Sequence, residues 1–437
     1  MTLAASGADI SIPWASGAAQ ERVAQIQAAT EPGTPADLER ALRAVLTHVR
    51  TMDDEGLVLY AGTNVMSDAV AAAHDPKVGI RPSLGDPAEK VQPGLEDLEV
   101  LEVLTTRAVA ATMRARHADA RVQSATLGNL AVYAGLTEVG ATIASLPRWA
   151  GGHFSHHPEG AAGLRGHRVV ELPYDPTAYD VDVDALPGFL ERERPELIVL
   201  GGTVMLFPHR LGRIVDAAKA AGARVLYDAS HVAGLLAGER FQDPLADGAD
   251  VVTFSTYKSY GGPPGGAIAT NDPEVAERVF AAVYPGLTAD YDAGRFRSLG
   301  LAAATLLSDG AAYAARCIDS ARALAEALSA SGQLVAGASR GFTDSHHVAV
   351  VLPEAMTGDW AVGRLARAGI YVSSTHVPSA DGPVAALRLG TQELVTRGFG
   401  PTDMGEVATL ITRALGDGEA PCEVRAEVTA LRRRTAR

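Results

Sequence analysis

The chain has 437 residues, 47% of them apolar and 21% charged, the make-up of a globular protein long enough for two or three packed cores. Its 38 lysines and arginines against 52 acids leave a formal charge of −14, which argues against nucleic acid or an anionic membrane surface as the main partner. No apolar run reaches the ~18 residues of a membrane-crossing helix, and the start MTLAASGADISIPWASG lacks the cationic head and apolar centre of a signal peptide. Cys317 and Cys422 have neither metal nor redox spacing, so reduced thiols in a cytoplasm are expected, with no metal-ligand set.

In chain order, residues 1–55 read as an arm and a helix, TPADLERALRAVLTHVRTM having helical period and a Thr-Pro start. GLEDLEVLEVLTTRAVAATMRAR is a second long amphipathic helix. An alternation follows. Strand ADARVQSA precedes helix LGNLAVYAGL; strands ATIASLP, HRVVELPY and ELIVLGG precede helix RLGRIVDAAKAAG; then come strands RVLYDAS and DVVTFSTY. This predicts the α/β class, a mostly parallel central sheet covered on both faces, in a large domain over 56–305. Beyond it, helix LAAATLLSDGAAYAARCIDSARALAEALSA, HHVAVVLP, helix DWAVGRLARAG and AALRLGTQ predict a smaller C-terminal α+β domain over 306–437.

Ligands of such sheets bind at the carboxyl ends of the strands, and three polar clusters fall there: Ser124 and Thr126, Asp228 to His231, and Ser255 to Lys258. Lys258 ends an apolar strand inside the glycine loop SYGGPPGG. A lysine in such surroundings loses pKa and becomes an amine fit for a Schiff base. Asp228 could hold a pyridinium N–H and keep the ring an electron sink. The small-residue turn Ser124-Ala125-Thr126 offers N–H groups and a hydroxyl to a phosphate. Each is weak alone: a strand-end lysine is usually a solvated charge, and a strand-end aspartate a helix cap. Together, in the order cradle, aspartate, lysine, they describe a pyridoxal 5'-phosphate site.

The segments LYDASHVAGLLAG, DVVTFSTYKSYGGPPGG, SATLGNLAVYAG, WAGGHFSHH and ALRLGTQELVTRGF resemble, in order and spacing, the cofactor segments of serine hydroxymethyltransferase, a fold-type-I pyridoxal phosphate family. The likeness runs from about Leu59 to Phe399. By position it implies that Lys258 is the Schiff-base lysine and Asp228 the partner of the pyridine nitrogen. It puts His153 on the ring face and His231 near the ring's phenolic oxygen. Ala125 and Thr126 fall on the phosphate turn, and Ser255 and Thr203 near the cofactor. Arg388 becomes the reader of the substrate α-carboxylate, a task suited to a planar fork. His156 and His157 are read as structural loop histidines. The resemblance also implies a homodimer, with the arm and the loops around Gly85 and Gly286 reaching the partner's cofactor.

The departures fall on the one-carbon machinery. In RPSLGDPAEKVQPG the family's catalytic glutamate becomes Leu84, a preceding tyrosine Pro82, and a later tyrosine pair Val91 and Gln92. Leucine transfers no proton. Glu89 would need another loop path to replace the acid. Tyr257 stands before the lysine in place of a histidine, and Pro264 replaces an arginine near the cofactor. YPGLTADYDAG replaces a glycine loop and brings Tyr291. The expected function is folate-independent chemistry on an α-amino acid held as an external aldimine. Aldol or transaldol cleavage, β-elimination and decarboxylating deamination all stay open. The lost aromatic volume gives a β-substituent larger than serine's hydroxyl room. A specialised-metabolism branch, such as the pyridoxal enzymes of lincosamide antibiotic biosynthesis, fits this divergence. Two other readings stand beside it: a folate-dependent hydroxymethyltransferase with a rearranged loop, and a non-catalytic binding protein on the same fold.

Overall fold

The computed structural model describes residues 11–30, 34–379, 382–416 and 418–435. The first ten residues of the expected arm lie outside the described ones. The chain divides into two compact units, residues 1–56 and 57–437. The first holds helices Gly17–Thr30, Pro35–Ala44 and Thr47–Glu55. Thr34 caps the second with a capping box: its hydroxyl accepts from the Asp37 amide while the Asp37 carboxylate accepts from the Thr34 amide.

The second unit is built on a seven-stranded sheet. Its strands are β1 (His117–Asp119), β2 (Thr142–Ser145), β3 (Arg168–Glu171), β4 (Leu197–Leu200), β5 (Arg224–Asp228), β6 (Val251–Ser255) and β7 (Gly266–Thr270), ordered β1-β7-β6-β5-β4-β2-β3. Strands β3, β2, β4, β5 and β6 pair in parallel; β7 runs antiparallel to both β6 and β1. β4, β6 and β7 are buried at every residue, which is why they read as unbroken apolar runs rather than alternations. Helix Ala125–Leu136 covers one face with Ala131, Val132 and Leu136 in a core shared with Ile143, Val199 and Leu226. The other face packs Leu200, Tyr227 and Phe254 with Phe296 and Leu299 of the long helix Gly294–Ala330.

A second, four-stranded sheet follows: β8 (Leu334–Val335), β9 (His347–Val351), β10 (Ser373–Ser379) and β11 (Gly382–Gly390), ordered β8-β9-β11-β10 and antiparallel throughout. Its core takes Leu387 and Leu389 together with Leu324 and Leu328 from the far end of the same long helix. Leu57–Val58 pairs in parallel with Ile370–Tyr371, so the start of this unit is tied to its C-terminal part.

Candidate active site

A cleft of about 560 Å³ opens at the carboxyl ends of β4, β5 and β6. Asp228 is the last residue of β5, Ser255 the last of β6, and Thr203 follows β4 closely. Helix Ala125–Leu136 begins there because Ser124, extended at φ −158, caps it, its hydroxyl accepting from the Leu127 amide at 3.2 Å. Ala125, Thr126, Thr203, Asp228, His153, His231, Ser255, Lys258 and Arg388 all line this cleft. Gly286 does not; it is exposed, in the short helical segment Ala282–Leu287.

Asp228 is buried and heavily bonded. Its Oδ2 accepts from Asn129 Nδ2 and from His156 Nε2, each at 3.0 Å, and its Oδ1 from the Ser230 amide at 2.9 Å. Burial alone would raise the carboxyl, but the His156 contact and the Ser230 amide outweigh it and hold Asp228 well below the usual carboxylate range. It is therefore a buried anion on the wall of the cleft, as a partner for a pyridinium proton must be. Two supports fix it. Thr253 donates to Asn129 Oδ1 at 2.6 Å, orienting that amide. The Tyr133 hydroxyl lies 2.6 Å from His156 Nδ1, and because His156 Nε2 must donate to the carboxylate, Nδ1 accepts from Tyr133.

His156, read from the sequence as a structural loop histidine, is buried and links Tyr133 to Asp228. His157 is buried beside it, its Nε2 donating to the Leu146 carbonyl at 3.1 Å. Asn129 lies on the helix that the phosphate turn starts, one turn beyond Ala125, and that register was the available signal for it.

Lys258 Nζ lies 3.1 Å from His231 Nε2. His231 Nδ1 donates to the Ala61 carbonyl at 3.2 Å, so in the neutral ring Nε2 is the acceptor of a lysine proton. Burial lowers Lys258 to about 8, Asp228 pulling it up and Arg388 pushing it down. Burial likewise holds His231 well below the usual imidazole range, with Lys258 and Arg388 adding to it. His153 is lowered to about 4, again mainly by burial, with Asp228 opposing. It is therefore neutral near pH 7. Its Nδ1 accepts from the Ser155 amide at 3.2 Å, which puts the ring proton on Nε2.

Arg388 comes from β11 of the smaller sheet. Its Nη1 donates to the Thr203 carbonyl at 2.8 Å and its Nε to Ser373 Oγ at 3.1 Å, and its guanidinium lies 5.6 Å from the Tyr60 ring centroid. Ser373, the Thr203 carbonyl and Tyr60 thus hold the guanidinium at the cleft wall. The Thr203 hydroxyl donates to the Gly151 carbonyl at 3.1 Å, so toward a ligand it can only accept. His346 and His347 pack behind His231, with one ring nitrogen of each of the three within 4.8 Å of the others. The Met205 amide donates to His347 Nδ1 at 3.1 Å, leaving the proton on Nε2. Burial, with His346, Arg388 and Lys258 adding to it, holds His347 well below the usual imidazole range.

Glu89 of the 82–92 loop and Tyr291 are not among the residues lining the cleft of their own chain. Glu89 is exposed, and Tyr291 is buried, donating to Glu102.

The donor set fits the phosphorylated pyridine that the sequence anticipates. Gly266 lies so close to the phosphate turn that a Cβ there would come 2.4 Å from the Ser124 carbonyl carbon, which keeps the cradle and the lysine loop in contact. Fold and site together define a fold-type-I pyridoxal phosphate enzyme. The profile of the serine hydroxymethyltransferase family matches residues 36–411. The chain belongs to that family. Among its relatives, an α-methylserine aldolase of Variovorax paradoxus is 42% identical over 427 residues, 96% of each chain. A serine hydroxymethyltransferase of Pyrobaculum calidifontis is 37% identical over 404 residues, 91% of this chain and 93% of the relative. The fold superposes on the crystal structure of L-threonine transaldolase from Pseudomonas fluorescens with a TM-score of 0.82 at 23% identity, covering 96% of this chain and 94% of that one.

Proposed function

We propose that this protein is a folate-independent aldolase that cleaves the Cα–Cβ bond of α-methylserine and kindred β-hydroxy amino acids, working as a homodimer in the cytoplasm. The observation that carries this reading is the acid content of the cleft. Among the described residues lining it, Asp228 is the single carboxylate, and its oxygens are already engaged. The family's proton-handling glutamate is Leu84 here. The near full-length similarity to α-methylserine aldolases supports the same class. In α-methylserine the extra bulk is on Cα rather than on the β-substituent.

Bound pyridoxal phosphate supplies the sink for the electron pair released when a bond to Cα breaks. The chain does the rest. Ser124, Ala125 and Thr126 hold the phosphate end, and Asp228 keeps the ring nitrogen protonated. Arg388 clamps the α-carboxylate, so that the carboxylate is not the group that leaves. With a methyl in place of the α-hydrogen, the Cα–Cβ bond is the one left to break. Lys258, lowered to about 8, would be the base for the β-hydroxyl proton. His231 Nε2 stands 3.1 Å away to accept from its ammonium. Loss of that proton releases formaldehyde, and return of a proton to Cα gives alanine.

The Pyrobaculum relatives favour a second reading, folate-dependent exchange of serine and glycine. One assay separates the two. The holoprotein with α-methylserine and no folate is expected to yield formaldehyde and alanine in equal amounts. Conversion of serine and tetrahydrofolate to glycine at about 1 per second or faster, with no cleavage of α-methylserine, overturns the proposal.

A further inference from the structure

A dianionic phosphate at the Ser124–Thr126 turn meets no cation there: the cations lining the cleft are Lys258 and Arg388, each with another task. A third cation lies just behind the turn. Arg295 opens the long helix and is 5% exposed. Its Nη2 donates to the Ala120 carbonyl and, at 3.0 Å, to the Val122 carbonyl, on the segment that runs from β1 into the turn. Its Nη1 is buried and has no partner among the described residues.

The acids near it are spent elsewhere. Asp119 is held by Arg121 through Nε at 3.0 Å and Nη2 at 2.7 Å. Asp292 accepts from the Gly294 amide at 2.9 Å and from His74 at 3.1 Å, and is half-exposed. Burial lowers Arg295 to about 10, so it stays protonated at neutral pH. A buried guanidinium without a counter-ion costs free energy that a bound anion would offset.

Glycines connect this charge to the cradle. A Cβ at Gly265 would lie 2.0 Å from Arg295 Nη1, and a Cβ at Gly266 would lie 2.6 Å from the Ala125 amide nitrogen. The Gly266 amide donates at 3.1 Å to the same Val122 carbonyl that Arg295 uses. One dipeptide therefore separates the guanidinium from the turn. Over such a distance inside protein, salt does not screen two charges from each other.

We propose that Arg295 is the counter-charge to the cofactor's phosphate, acting from behind the Ser124–Thr126 turn through Gly265 and Gly266. It is a positioning residue, and the proposal rests on the cleft being a pyridoxal phosphate site.

The test compares two ligands of the apoprotein, pyridoxal phosphate and pyridoxal, by titration of the absorbance band. For Arg295→Met, affinity for pyridoxal phosphate is expected to fall about tenfold or more, and affinity for pyridoxal to stay within about twofold. Arg295→Lys should recover most of the loss. Gly265→Ala keeps the charge but displaces it. It should show the same phosphate-selective weakening, and it serves if Arg295→Met does not fold. Equal losses for both ligands would make Arg295 a clamp on the strand and overturn the proposal, as would no loss for either. Failure of the parent protein to bind either ligand would instead overturn the reading of the cleft beneath it.

Discussion

Lys258 and Arg388 enter the cleft from different sheets, and their tasks can be tested apart. Borohydride reduction of the holoprotein followed by peptide mapping is expected to find pyridoxyl on Lys258, and label on another lysine would overturn its role. Because Lys258 is lowered to about 8, its neutral amine prevails above that pH. Cofactor uptake by the apoprotein should therefore speed up with pH to about 8 and then level off. A solvated lysine would go on gaining toward 10.5. Arg388→Ala removes a positive neighbour, so it should move this midpoint upward. The same substitution should weaken amino-acid binding by roughly 2–5 kcal/mol while leaving cofactor affinity nearly unchanged, read by spectral titration. Most of these residues were legible because each sits at a strand end or helix start, where local pattern and chemistry coincide. His156 was not. Its partner Asp228 is 72 positions away, and nothing in HFSHH says which of three histidines faces it.

At the scale of elements, the 82–92 loop shows how a segment stripped of its tyrosines and acid is held in place. Gly85 sits at φ +97, where a Cβ would meet the Glu89 carbonyl at 2.4 Å, and the Val91 amide donates to the Leu84 carbonyl at 3.1 Å. Lys90, 5% exposed, pairs with Glu102 at 2.7 Å, and Ser83 donates to the same carboxylate at 2.5 Å. Glu102→Ala would strand a buried ammonium. It should cost about 3–5 kcal/mol, seen as a lowered Tm, with Glu102→Gln milder. The central parallel strands β4 and β6 were legible because burial on both faces makes them plain apolar runs. β7 was not, being GAIAT at the tail of a glycine loop. Nor was β10, SSTHVPS, an edge strand that needs no apolar face and tolerates its proline.

For the whole molecule, the helix Glu96–Thr112 exposes Val100, Val103 and Leu104, spaced to lie on one face. We expect that face to be covered by a second copy of the chain, so light scattering should give a dimer's mass. Leu104→Asp should shift it toward monomer and lower activity; a fully active parent monomer would refute the arrangement. The long helix Gly294–Ala330 carries a different consequence. Its 37 residues span about 55 Å. Phe296 and Leu299 belong to the core beneath the cofactor cleft, while Leu324 and Leu328 belong to the core of the smaller sheet. Neither core can melt without tearing the rod they share. Residues 57–437 should therefore lose heat-labile structure cooperatively, as one calorimetric peak rather than two. A proline at Ala312, midway along the rod, should split that peak.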